Sequence, residues 1–220
     1  MKPIIALNLK VYKESLGKKG LEFCQMASEV SLLTGVRIIV APQSVDLREA
    51  ALVCSDVFAQ HVDSAPQGAF TGTLTVEALK ETGAKGSLVN HSEHRLPEEE
   101  IAKTIARLKE AGLESMLCTK DAEESARLAK YEPTCIAVEP PELIGSGISV
   151  STAKPEVVSG TVKAVAAVNS TPVLCGAGVS NAGDVKKAVE LGAAGVLLAS
   201  AFVKAANPKE LLTRMAEAMG

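Results

Sequence analysis

The chain has no tryptophan, only two tyrosines and four phenylalanines, and a net charge of −3. Without a basic face or stacking rings it is poorly equipped to hold nucleic acid, and no nucleic-acid partner is expected. It also lacks any run of about eighteen uninterrupted apolar residues, the length that spans a bilayer. Its start, MKPIIALNLK, has no apolar stretch ending in a small-residue cleavage site. A cytoplasmic protein without a membrane partner is therefore expected. Cys24, Cys54, Cys118, Cys135 and Cys175 are odd in number and scattered, with no C-x-x-C spacing. That usage suits reduced, buried thiols rather than a disulfide framework or a zinc ribbon. Linkers are missing too: no Ser/Pro stretch, charge block or low-complexity segment interrupts the 220 residues, 47% of them hydrophobic. One domain over residues 1–220 is the expectation, long enough to bury a sizeable core.

What the sequence does contain is rhythm. Apolar or β-branched runs recur at 3–9 (PIIALNL), 36–42 (VRIIVAP), 56–62 (DVFAQHV), 85–91 (KGSLVNH), 113–119 (LESMLCT), 134–140 (TCIAVEP), 171–177 (TPVLCGA) and 194–200 (AGVLLAS). Between most of them lie segments with apolar residues at i, i+3, i+4 and i+7, as in 98–112, 122–131 and 182–192, which predicts helices. Pro97 and the acidic run Glu98 to Glu100 suit a helix start, and Gly112 and Gly192 suit helix ends. Near-continuous apolar strands alternating with helices predict a parallel sheet covered on its faces. Eight such units predict a closed (β/α)8 barrel. The alternative, an open doubly wound sheet, lacks its usual G-x-G-x-x-G after the first strand, which here runs into NLKVYKE.

In a barrel of this kind the loops after the strands converge on one mouth, so the strand ends carry the chemistry. The first strand ends in Asn8 and Lys10, the fourth in Asn90, His91, Ser92 and Glu93, and the sixth in Glu139 followed by PPELIGSG. The seventh runs into CGAG and the eighth into Ala199 and Ser200. A cation, an imidazole, a carboxylate and two small-residue loops with free backbone N–H groups would suit acid–base chemistry on an anionic substrate. A metal site on His91-x-x-His94 is disfavoured, because no further ligand at suitable spacing completes the shell. No metal and no cofactor are expected.

These motifs resemble the triosephosphate isomerase family, in the shorter form typical of archaea, from NLK at 8–10 to LLAS at 197–200. N-x-K, H-S-E, E-P followed by I-G-[ST]-G, and G-A-F-T-G occur here in the family's order, a combination far more specific than any one of them. The resemblance implies Glu139 as base, His91 as electrophile, Lys10 as the cation beside the substrate and Asn8 as its neighbour. It places Ile144, Gly145, Gly178, Ala199 and Ser200 around the substrate's phosphate, with Ser92 and Glu93 in support. It further implies that PPELIGSG closes over the substrate, and that the loop at 65–73 docks into a second copy. There Thr71 would brace the partner's site, giving a homodimer or homotetramer. Several positions depart from the widespread bacterial and eukaryotic pattern: Asn90 replaces a Gly, His94 an Arg, Glu142 a Trp of the lid and Cys175 a Tyr. His94 is expected outside the site, His61 packed near the third strand and Cys118 in the barrel core.

Interconverting a ketose phosphate and an aldose phosphate needs a base that removes a proton beside a carbonyl and returns it to the adjacent carbon. Glu139, closed into an apolar pocket and stripped of water, suits that task. In this family the strand-four histidine donates as a neutral imidazole, and the resemblance implies the same of His91. Lys10 would place fixed positive charge where negative charge grows. Two other functions remain open on the residues: an aldolase with Lys10 as a Schiff-base nucleophile, and an inactive barrel that senses a phosphorylated metabolite.

Overall fold

The computed structural model describes residues 3–140 and 149–220. Its strands are β1 (Ile4–Asn8), β2 (Arg37–Ala41), β3 (Phe58–Ala59), β4 (Gly86–Val89), β5 (Glu114–Thr119), β6 (Cys135–Val138), β7 (Val173–Cys175) and β8 (Gly195–Leu198). All pair in parallel in the order β2-β1-β8-β7-β6-β5-β4-β3. A parallel bridge between Val40 and Val57 joins the two ends, so the sheet is a closed eight-stranded barrel. Every one of the eight apolar runs supplies one strand. The third supplies only Phe58–Ala59, because the next residue, Gln60, turns its side chain to neighbouring backbone carbonyls.

Among the described residues the helices are α1 (Lys18–Thr34), α2 (Leu47–Val53), α3 (Val76–Glu81), α4 (Glu98–Glu110), α5 (Ala122–Ala129), α6 (Val150–Ala153), α7 (Pro155–Ala166), α8 (Ala182–Glu190), α9 (Ser200–Val203) and α10 (Pro208–Glu217). Helix α4 shows why they form. Ile101, Thr104, Ile105 and Leu108 make one buried stripe, Glu98 to Glu100 occupy the positive end, and Arg107 and Lys109 the negative end. Side chains of Thr75, Asp121, Asn181 and Asn207 accept the free N–H groups that open α3, α5, α8 and α10. The predicted helices at 98–112, 122–131 and 182–192 end two residues early, at Glu110, Ala129 and Glu190, each giving way to a turn. The short α6 and α9 were not foreseen, since four residues carry no periodic signal.

Strand parity builds two cores. Ile4, Ala6, Ile39, Ala41, Phe58, Leu88, Met116, Cys118, Cys135, Ala137, Leu174 and Leu197 point inward and fill the barrel. Their neighbours, such as Ile5, Leu7, Ile38, Val40, Leu117, Ile136 and Val196, point outward to the helices. The same two-residue period carried one step past the strands brings Asn8, Gln60, Glu139, Gly176 and Ala199 inward at the C-terminal mouth. At the opposite end, Arg37 pairs with Asp56 at 2.6 Å and with Glu114 at 2.7 Å. Hydrogen bonds donated to Glu114, the largest cause, hold its guanidinium firmly charged. All five cysteines are free and buried. Burial pushes the thiols of Cys24, Cys135 and Cys175 up to about 12.

Candidate active site

Strand β1 delivers Asn8 and Lys10. Lys10 has a positive φ of 46°, an uncommon conformation for a lysine. Two contacts hold it there: its N–H donates to Asn8 Oδ1 at 3.0 Å, and its carbonyl accepts from Gln60 Nε2 at 2.9 Å. Gln60 also donates to the carbonyls of Ala41 and Pro42, tying the turns after β1 and β2 to β3. Its importance was missed in the sequence, where a lone glutamine carries no chemical signature. The Lys10 ammonium pairs with Glu93 Oε1 at 2.8 Å.

Strand β4 delivers His91. Asn90 leaves the extended region at φ 61° and so turns the chain, which lets His91, out of phase with the inward Leu88, face the mouth. Asparagine tolerates the left-handed region better than most residues, which accounts for its standing where relatives of the broader family use glycine. Its side chain fixes the turn by donating to the Cys118 carbonyl at 3.0 Å and accepting from Leu96 N–H at 2.9 Å. The backbone N–H of Glu93 donates to His91 Nδ1 at 3.2 Å. With Nδ1 an acceptor, the ring proton belongs on Nε2. Asn8 Nδ2 lies 3.4 Å from that Nε2. We read this long contact as proximity rather than a bond to nitrogen, because Nε2 has its own proton to give.

Strand β6 delivers Glu139, 4% exposed. Its Oε1 lies 3.6 Å from His91 Nε2. Its Oε2 is buried and has no hydrogen-bond partner among the described residues, an arrangement that costs free energy unless something else uses the oxygen. The Cys118 thiol beneath it is held well above the ordinary thiol range, first by burial and then by the Glu139 charge. Gly176 backs the carboxylate from β7: a Cβ there would stand 2.5 Å from Glu139 Cγ. Only glycine admits the carboxylate in this position.

These groups line a cavity of about 470 Å³ with Gly178, Ala199 and Ser200, and with Tyr12 and Lys204, which sequence reading did not single out. Gly178 has φ 69°, and the backbone N–H groups of Gly178, Ser200 and Ala201 have no acceptor among the described residues. Free N–H groups grouped in this way are chemically able to hold an anion. Cys175 does not face the cavity; it packs between sheet and helices. Ser92 is half-buried with an unpartnered Oγ. His94 is exposed and stacks on His61, ring centroids 4.1 Å apart, outside the cavity. Thr71 and Phe70 are exposed on the loop at 65–73, whose base is pinned by two Asp63–Leu74 hydrogen bonds; Thr71 does not reach its own chain's cavity. Ile144 and Gly145, Glu142 and the rest of the expected lid lie outside the described residues.

The family model for triosephosphate isomerase matches residues 3–218. The chain belongs to the triosephosphate isomerase family. It is 52% identical to the triosephosphate isomerase of Methanothermus fervidus, over 97% of this chain and 99% of that one. To the enzyme of Methanocaldococcus jannaschii it is 49% identical, over 96% and 98%. To that of Methanosarcina acetivorans it is 48% identical, over 96% of each. The resemblance read from scattered motifs thus extends along nearly the whole chain, and the family's isomerase chemistry, the interconversion of triose phosphates, belongs to the fold found here.

Proposed function

We propose that this chain interconverts dihydroxyacetone phosphate and D-glyceraldehyde 3-phosphate through an enediolate, with Glu139 as base, His91 as electrophile and Lys10 as the electrostatic partner. The observation that carries the reading is the buried Glu139 carboxylate lining the cavity, its Oε1 3.6 Å from His91 Nε2 and its Oε2 without a hydrogen-bond partner among the described residues. Glu139 takes a proton from the carbon beside the carbonyl, and the electron pair moves onto the carbonyl oxygen. The His91 Nε2–H donates to that oxygen and Lys10 offsets the growing charge. The proton of the neighbouring hydroxyl passes by way of His91 Nε2, so that the former carbonyl oxygen ends as the hydroxyl, and Glu139 returns its proton to the neighbouring carbon as the new carbonyl forms. Nothing is consumed, so one carboxylate serves both half-reactions.

The unbonded N–H groups of Gly178 and Ser200, with the small Ala199 beside them, support a phosphate site at the far end of the cavity; Ile144 and Gly145 are proposed to complete it. Ser92 and Glu93 support the site by shaping the turn and holding Lys10. The aldolase reading is disfavoured by the Lys10–Glu93 ion pair, since an imine-forming lysine needs an apolar setting or a neighbouring cation. Eight strands spread from Ile4 to Leu198 around one barrel support a single domain over 1–220. Exposed Phe70 and Thr71 support a homo-oligomer in which Thr71 braces a second copy's Asn8 and Lys10. None of the described helices is long and apolar enough to cross a membrane, in keeping with a cytoplasmic enzyme. A coupled assay from glyceraldehyde 3-phosphate to dihydroxyacetone phosphate tests the activity: turnover is expected, and a folded protein without it would favour the sensor. Borohydride trapping of substrate on Lys10 would instead establish the aldolase.

A further inference from the structure

Two lysines line the cavity, and they are held in different ways. Lys10 is matched by a carboxylate, Glu93, at 2.8 Å. Lys204 has no carboxylate partner among the described residues; its Nζ stands 4.6 Å from the centre of the Tyr12 ring. The difference matters electrostatically. A carboxylate partner offsets part of a lysine's charge, whereas an aromatic face attracts the ammonium through its quadrupole and leaves the net charge in place. The contact also fixes where that charge sits. The Tyr12 carbonyl accepts from Ser15 Oγ at 2.9 Å and from Gln43 Nε2 at 3.0 Å, so the turn carrying the ring is anchored. Lys204 N–H donates to the Ser200 carbonyl at 3.0 Å, which ties the lysine to the residue whose own N–H is free.

We propose that Lys204, held over Tyr12, is a specificity-determining residue that supplies the cation for the substrate's phosphate. This rests on the triose phosphate reading above. Backbone N–H groups at Gly178, Ser200 and Ala201 offer dipoles but no net charge, and the other charged groups lining the cavity among the described residues are Glu139 and the paired Lys10. Among the described residues lining the cavity, Lys204 is therefore the positive charge that no carboxylate pairs, and it adds to that of Lys10 for a dianionic phosphate. Tyr12 is its positioning residue and needs no contact with the substrate.

The test compares Lys204→Gln, Lys204→Arg and Tyr12→Leu with the parent, after thermal melts establish which variants fold. It reads kcat and KM for glyceraldehyde 3-phosphate and, independently of turnover, the calorimetric Kd for inorganic phosphate. Lys204→Gln is expected to raise both KM and the phosphate Kd by about ten-fold, the scale of one charge-assisted hydrogen bond, with the greater part of the loss in KM rather than kcat. Lys204→Arg should recover most of it, and Tyr12→Leu should fall between. If Lys204→Gln fails to fold, the Tyr12→Leu and Lys204→Arg pair decides the matter by the same two readouts. Unchanged KM and Kd, or a loss confined to kcat, overturns the inference while leaving the isomerase reading intact. A parent that binds phosphate through Lys204 but turns nothing over overturns the isomerase reading instead.

Discussion

At the scale of single residues, the site is set by what each side chain is denied. Glu139 Oε2 is buried and has no hydrogen-bond partner among the described residues, which leaves it open to a substrate. Glu139→Gln keeps the shape and removes the proposed base; kcat should fall by about 10³-fold or more, while inorganic phosphate still binds. Wild-type exchange of solvent tritium into product by that variant would show that another residue is the base. Gly176 gives a sharper test of geometry, because a Cβ there would stand 2.5 Å from Glu139 Cγ and 3.0 Å from the Val138 carbonyl oxygen. A methyl group there must push Glu139 aside, and displacement of about 1 Å can cost about 10²-fold. Gly176→Ala should therefore lose activity in kcat with little change in phosphate affinity. Activity equal to the parent's would mean the carboxylate has room the structure denies it.

At the scale of elements, the turn after β4 does more than end a strand. Asn90 at φ 61° breaks the two-residue period, and without that break His91 would continue along the wall rather than face Glu139. Asn90→Ala loses the side-chain bonds to Cys118 and Leu96 and keeps the unfavourable φ. A destabilisation of about 2 kcal/mol is expected, lowering Tm by roughly 4–8 °C for a chain of this size. Asn90→Gly should regain part of it, since glycine adopts the same φ without strain. Equal melting of Asn90→Ala and Asn90→Gly would mean that the left-handed conformation is not what the residue supplies.

At the scale of the whole molecule, closure of the barrel places the ends of strands β1, β4 and β6 around one cavity although they are far apart in sequence. The loop at 65–73 does not line that cavity, and it stands with Phe70 47% exposed and Thr71 uncovered, while Asp63 and Leu74 clamp its base. Docking of this loop into a second copy should make activity depend on association. Replacing Phe70 with Asp and Thr71 with Arg is expected to give a folded, weakly active monomer, and the parent should lose specific activity on dilution. A fully active monomer, seen by sedimentation at the assay concentration, would remove the proposed dependence.

The sequence by itself determined the alternation of strands and helices, the eight-fold repeat, and the residues at the strand ends, because all of these rest on local periodicity and on motifs contiguous in the chain. Asn8, Lys10, His91 and Glu139 were legible for that reason, as were Gly178, Ala199 and Ser200. What only the tertiary structure decided are relations between distant segments. Gln60 anchoring the Lys10 backbone, Gly176 backing Glu139, His61 stacking on His94, and Lys204 resting on Tyr12 are each a meeting of groups from different strands or loops. No local pattern encodes them, since each depends on which strands become neighbours when the sheet closes. The outward orientation of Cys175 belongs to the same class: its parity on β7 was readable, but which parity faced the cavity depended on how the seventh strand met the other seven.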